Sequence, residues 1–163
     1  DLYEKGIAVN SLSKTYSIPG IRVGWVASNT EVADILRDYR DYTMICAGVF
    51  DDMVATLVLE NREAILERNR QIVEENLALM DAWIAKEPKA SWVRPASVST
   101  SFVKLDVNRP IEDFALELLQ DYGVLVVPGN RFDKESHVRI GYCCDKEVLQ
   151  KGLEKLSQFL NKC

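Results

Sequence analysis

The sequence has 163 residues, 47 % hydrophobic and 28 % charged, which suffices for one ordinary domain or a piece of a larger one. Lys and Arg number 20 against 25 Asp and Glu, a net charge of -5, and no basic stripe is interleaved with aromatics, so nucleic acid is not an expected partner. No apolar run approaches the ~20 residues that cross a bilayer, no signal peptide opens the chain, and the single histidine, His137, excludes a two-histidine metal site within this chain.

Taken in order, residues 2–6 read as the end of a helix capped by Gly6. "IAVNSLS" reads as a strand, apolar first and polar at its end, and "GIRVGWVAS" as a second strand. Ser17-Ile18-Pro19-Gly20 breaks the chain between them. Asn29 or Thr30 caps a helix over roughly 31–43, with Glu31 in its first turn. "GVFDDMVATLVLEN" is a further helical stretch. Residues 62–86 form a long helix in which Ile65, Ile72, Leu79 and Trp83 recur at helical spacing, and Pro88 ends it. A polar, aromatic-punctuated connection follows at 89–97. "VSTSFVKLDV" is a strand and "PIEDFALELLQDY" a helix with Pro110 at its start. "GVLVVPG" is a short strand, "SHVRIGYC" another with His137 packed in it, and 145–161 a closing amphipathic helix. This order implies an α/β unit packed on the long helix. Cys46, Cys143, Cys144 and Cys163 match neither a zinc nor a redox spacing, and free thiols in a reducing cytoplasm are expected. No metal is expected.

The stretch "NSLSKTYSIPGIRVGW" concentrates polar groups between two apolar segments. A reversal at Pro19-Gly20 can return Arg22 toward Ser11 and Ser13. Two hydroxyls and a forked guanidinium then suit a phosphate. A lysine beside them, Lys14, held in an apolar pocket, can serve as an amine nucleophile that forms a Schiff base. One ligand carries both a phosphate and such an aldehyde: pyridoxal phosphate.

These residues resemble the Schiff-base motif of the class I/II, fold-type I aminotransferases, with Ser11, Ser13, Lys14, Gly20, Arg22 and Gly24 all at family positions. The similarity continues through the long helix, which resembles the one linking the family's large and small domains. "YGVLVVPGNRF" resembles the family's small-domain strand and its "PG..F" turn, and "HVRIGY" the strand whose arginine, here Arg139, pairs with the substrate α-carboxylate. The resemblance implies a fold of three parts: the end of the large cofactor-binding domain, the linking helix, and an α/β small C-terminal domain. It divides the chain into 1–55, from the large domain, and 56–163, the linking helix and small domain. Lys14 would be catalytic, Ser11, Ser13, Lys14 and Arg22 would bind pyridoxal phosphate, and Arg139 would bind substrate.

The same resemblance implies a cytoplasmic homodimer acting on an α-amino acid and a 2-oxo acid. The family enzymes are about twice this length, and the chain opens on Asp1, so a truncated chain is expected. No residue here can be assigned to the family's aspartate that pairs with the pyridine nitrogen. Asp1, Asp34, Asp38 and Asp41 are not candidates. The fragment alone is therefore expected to be inactive, and its strands over residues 7–28, without their sheet partners, are expected to make it self-associate through its N-terminal region. Two alternatives stay open: a C–S lyase, decarboxylase or cyclising synthase of the same fold, or a non-catalytic remnant binding partners through residues 98–163.

Overall fold

A computed structural model describes residues 4–163 and divides the chain into two compact units, residues 1–70 and 71–163. Residues 2 and 3 of the expected opening helix lie outside the described residues; residues 4–6 are bend and irregular chain, not helix.

In the first unit, β1 (Ala8–Ser11) and β2 (Gly24–Ala27) pair antiparallel, with Ala8 opposite Ala27 and Ser11 opposite Gly24. The second strand starts four residues later than the apolar pattern suggests. Pro19–Ile21 winds instead into one 3-10 turn, with proline in its first position, where a missing N–H costs nothing. Helix α1 (Thr30–Arg40) is capped by Asn29, whose side chain accepts from the Val32 N–H at 2.9 Å. Helix α2 (Val49–Glu60) starts after Gly48 and carries Asp51 and Asp52 in its first turn. Asn61 separates it from α3 (Arg62–Ile84), which runs through the boundary between the units. The core of this unit is small. Leu12 is fully buried against Ala55 and Val58 of α2, with Tyr16, Ile18, Ile21, Val23 and Ile65 around them. Helix α1 buries no residue.

The second unit holds a four-stranded sheet in the order β3-β4-β6-β5, every neighbouring pair antiparallel. Its strands are β3 (Ala90–Trp92), β4 (Thr100–Leu105), β5 (Val127–Pro128) and β6 (His137–Gly141). Strand β3 lies in the stretch read from sequence as a connection; three residues are too few to show a period of two. Along β4 the burial alternates, with Ser101, Val103 and Leu105 buried and Phe102 and Lys104 on the other face. In β6, Val138 and Ile140 point to the same core. Helices α4 (Ile111–Tyr122) and α5 (Lys146–Leu160) supply the facing apolar stripes, led by Phe114, Leu118, Leu153 and Leu156. Asp145 caps α5 by accepting from the Glu147 and Val148 N–H groups at 2.9 and 3.3 Å.

The end of α3 packs on this core through Leu77 and Met80. The buried Asn76 side chain donates to the Tyr142 carbonyl at 2.7 Å and to the Cys144 carbonyl at 2.8 Å, holding the chain just after β6. The Trp83 indole N–H donates to the Ser157 hydroxyl at 2.8 Å, which in turn donates to the buried Glu87 carboxylate at 2.6 Å.

Candidate active site

The connection between β1 and β2 carries the four polar residues singled out from sequence. The ladder continues one step past β1, because the Leu12 N–H donates to the Val23 carbonyl at 3.1 Å. A tight reversal follows. The Ser17 N–H donates to the Lys14 carbonyl at 3.1 Å, and the Ile18 N–H to the Leu12 carbonyl at 3.3 Å. Ser17 and Arg22 both adopt left-handed backbone, φ 58° and 51°. Such conformations cost on the order of 1 kcal/mol or more for non-glycine residues and persist only where neighbours enforce them. At Gly24 a Cβ would sit 2.5 Å from the Asn10 carbonyl oxygen, so a side chain here would push β1 and β2 apart.

Ser11 ends β1 and is exposed; Ser13 is half-buried and its N–H donates to the Ser11 hydroxyl at 3.4 Å. Lys14 is exposed, and among the described residues no hydrogen bond or ion pair holds its amine. One Arg22 terminal nitrogen donates to the Pro19 carbonyl at 2.7 Å, which leaves most of its five N–H donors for another acceptor. No direct bond joins Arg22 to either serine hydroxyl. The donor set fits pyridoxal phosphate chemically: two hydroxyls and a guanidinium for a phosphate, and an unpaired primary amine for an aldehyde.

Arg139 belongs to the second unit. It lies on the exposed face of β6, opposite Phe102 of β4 and Val127 of β5. Its guanidinium carbon stands 5.2 Å from the centre of the Phe132 ring, and Phe132 meets Phe102 edge-on at 5.8 Å. The His137 ring stacks on Phe102 at 4.8 Å. Burial, then Lys134 and Lys104, lower the His137 pKa from its ordinary 6.5. The neighbouring turn is fixed by α4, since the Asn130 and Arg131 side chains both donate to the Glu112 carboxylate. Gly129 allows this turn to close, because a Cβ there would collide with the Lys134 and His137 carbonyls. Tyr16 is committed to the packing around Leu12.

Sequence reading overlooked Asn69 and Phe102. The half-buried Asn69 side chain donates to the Thr15 carbonyl at 2.9 Å, next to Lys14. A lone asparagine on the polar side of a long helix gives no signal for a bond 54 residues away. Phe102 did have one: the alternation in "SFVKL" places an aromatic on the face away from the core. Among the described residues no group of acidic, histidine and cysteine side chains is arranged for a metal, and no helix is long and apolar enough to cross a membrane.

Comparison with known proteins defines the class to which this arrangement belongs. The family model for aminotransferase class I and II matches residues 2–156, and the chain belongs to that family. Its structure superposes on a PLP-dependent aminotransferase from Streptococcus suis with a TM-score of 0.95 at 68 % identity, covering 97 % of this chain and 42 % of that one. LL-diaminopimelate aminotransferase of Natranaerobius thermophilus is 30 % identical over 97 % of this chain and 41 % of its own length. Capreomycidine synthase of Streptomyces vinaceus is 28 % identical over 96 % of this chain and 41 % of its own length. The chain spans about two fifths of the curated relatives it matches, and its fold is that of the C-terminal portion of a fold-type I pyridoxal-phosphate aminotransferase.

Proposed function

We propose that the whole protein is a cytoplasmic, homodimeric pyridoxal-phosphate transaminase that moves an amino group from an α-amino acid to a 2-oxo acid. The observation that carries this reading is the β1–β2 connection of a chain of this family, which carries Ser11, Ser13, Lys14 and Arg22 and leaves the Lys14 amine exposed and, among the described residues, without a hydrogen bond or ion pair. Residues 1–55 are read as part of the large domain, and 56–163 as the linking helix with the small domain. Contacts within this chain divide it later, inside α3.

Ser11, Ser13 and Arg22 would hold the phosphate through hydroxyl and guanidinium donors. The Lys14 amine would hold the aldehyde until the substrate amine replaces it, and would then carry the proton away from substrate Cα and return it. Arg139 would take the substrate α-carboxylate with its forked N–H groups. Fixing the substrate at its carboxylate orients the bond to be broken. Pyridoxal phosphate, when bound, supplies the electron sink that stabilises charge at Cα. This chain by itself is expected not to turn over substrate.

The test is an absorbance spectrum of the whole protein after mixing with pyridoxal phosphate and desalting, beside Lys14→Ala. A retained near-ultraviolet to visible band that the substitution abolishes is the expected result; equal spectra would refute the role of Lys14. The similarity to a protein named a synthase favours a second reading, in which the same residues serve a lyase, decarboxylase or cyclising synthase. A transaminase consumes a 2-oxo acid acceptor and these do not, so dependence of product formation on added 2-oxo acid separates the two.

A further inference from the structure

The turn that carries Lys14 is held from two sides. On one, Leu12 is fully buried against α2 and fixes the chain two residues before the lysine. On the other, the Asn69 side-chain amide reaches from α3 to the carbonyl of Thr15, one residue after the lysine, at 2.9 Å. The Asn69 amide is itself oriented: a terminal nitrogen of Arg68 donates to its Oδ1 at 3.1 Å, which turns Nδ2 toward Thr15. Between these two anchors the backbone turns tightly, with the Ser17 N–H on the Lys14 carbonyl and Ser17 itself left-handed at φ 58°. A left-handed serine persists only if its surroundings enforce it, and the Thr15 carbonyl is the point in this turn that a side chain from outside the segment grips.

We infer that Asn69 is a positioning residue for Lys14: its bond to the Thr15 carbonyl fixes the reversal from which the lysine amine projects. The inference rests on the reading of Lys14 as the cofactor-binding amine. The bond is polar and near the surface, so its loss costs the fold little compared with burying a polar group alone. Its effect falls on the freedom of residues 13–18. An amine whose backbone wanders samples its productive position less often, and apparent affinity for the cofactor falls in proportion.

The experiment compares the whole protein with Asn69→Leu, Asn69→Asp and Asn69→Gln. In the first two, with no cofactor present, amide hydrogen exchange across residues 13–18 is expected to quicken about fivefold or more, while residues 55–58 of α2 exchange as before. With pyridoxal phosphate added, the concentration that half-saturates the Lys14-dependent absorbance band is expected to rise by a similar factor. Asn69→Gln keeps an amide donor on the same helix face and is expected to recover part of both effects. Unchanged exchange across 13–18 in both Asn69→Leu and Asn69→Asp would overturn the inference, as would a loss that spreads equally to residues 55–58. Exchange reads the anchor without the cofactor. Absence of the band from the unsubstituted protein would therefore count against the functional reading and leave the test of the Asn69 bond intact.

Discussion

His137 shows how a residue without assigned chemistry reports on the surface around Arg139. Its ring is stacked on Phe102, and the charged groups that face it, Lys134 and Lys104, are both cationic. Desolvation and these two lysines disfavour its protonated form in the folded chain, so its folded pKa lies below the unfolded value of 6.5. The unfolded state then binds more protons between the two values, and stability rises with pH there. Unfolding by urea at a series of pH values is expected to show stability falling as pH drops below about 6.5. His137→Phe should flatten that slope; an equal slope in the variant would remove His137 as its source. At this scale Ser11, Ser13, Lys14, Arg22 and Arg139 could be singled out from sequence because their types and order are dense and chemical. Asn69 could not, since its meaning depends on a carbonyl that no side-chain identity encodes.

Among the elements, α3 contributes most beyond its own length. Its apolar spacing is plain in the sequence, yet the residue that fastens it to the end of β6 is the polar Asn76. Both of its amide hydrogens are used, on the Tyr142 and Cys144 carbonyls. Asn76→Leu keeps the branched shape, in a somewhat larger side chain, and strands both acceptors, one of them buried. At ~1–3 kcal/mol for an unsatisfied buried group, a loss of about 2–4 kcal/mol is expected in the denaturation midpoint analysis of the chain. A change below about 0.5 kcal/mol would show that water replaces the amide at no cost. The long helix was legible from its apolar spacing and the others from their starts, such as Asn29 before α1 and Pro110 before α4. The short strands were less so. Strand β2 begins at Gly24 because Pro19 starts a turn and Arg22 turns left-handed, neither of which hydrophobicity reveals. Strand β3 is defined by pairing with β4 rather than by any pattern of its own.

Considered as a whole molecule, the chain distributes its apolar surface unevenly. The second unit encloses a core of many large side chains, whereas the first, among its described residues, buries three hydrophobic residues and leaves others in water. Val9 is 76 % exposed, Tyr42 88 % and Phe50 83 %. Large apolar side chains left this exposed are what an interface between chains would cover. The expressed chain is accordingly expected to self-associate, with light scattering at about 0.1 mM giving a mass above one chain. Phe50→Ser combined with Tyr42→Ser should lower that mass; a monodisperse single-chain mass for the unsubstituted protein would count against the expectation. The architecture of the family was readable across the whole chain, while the enclosure expected around Lys14 is not built by the described residues, which leave that side chain exposed.

The buried Leu12 has a consequence for how the chain tolerates change in length. The Leu12 N–H extends the β1–β2 ladder by one step, so strand parity sets Ser11 on the face opposite the buried Leu12. Removing or adding one residue between Ala8 and Leu12 would exchange inside for outside and send a serine to the core in place of the leucine. The spacing of this segment is thus a constraint separate from its composition: even with every side chain kept, the count cannot change.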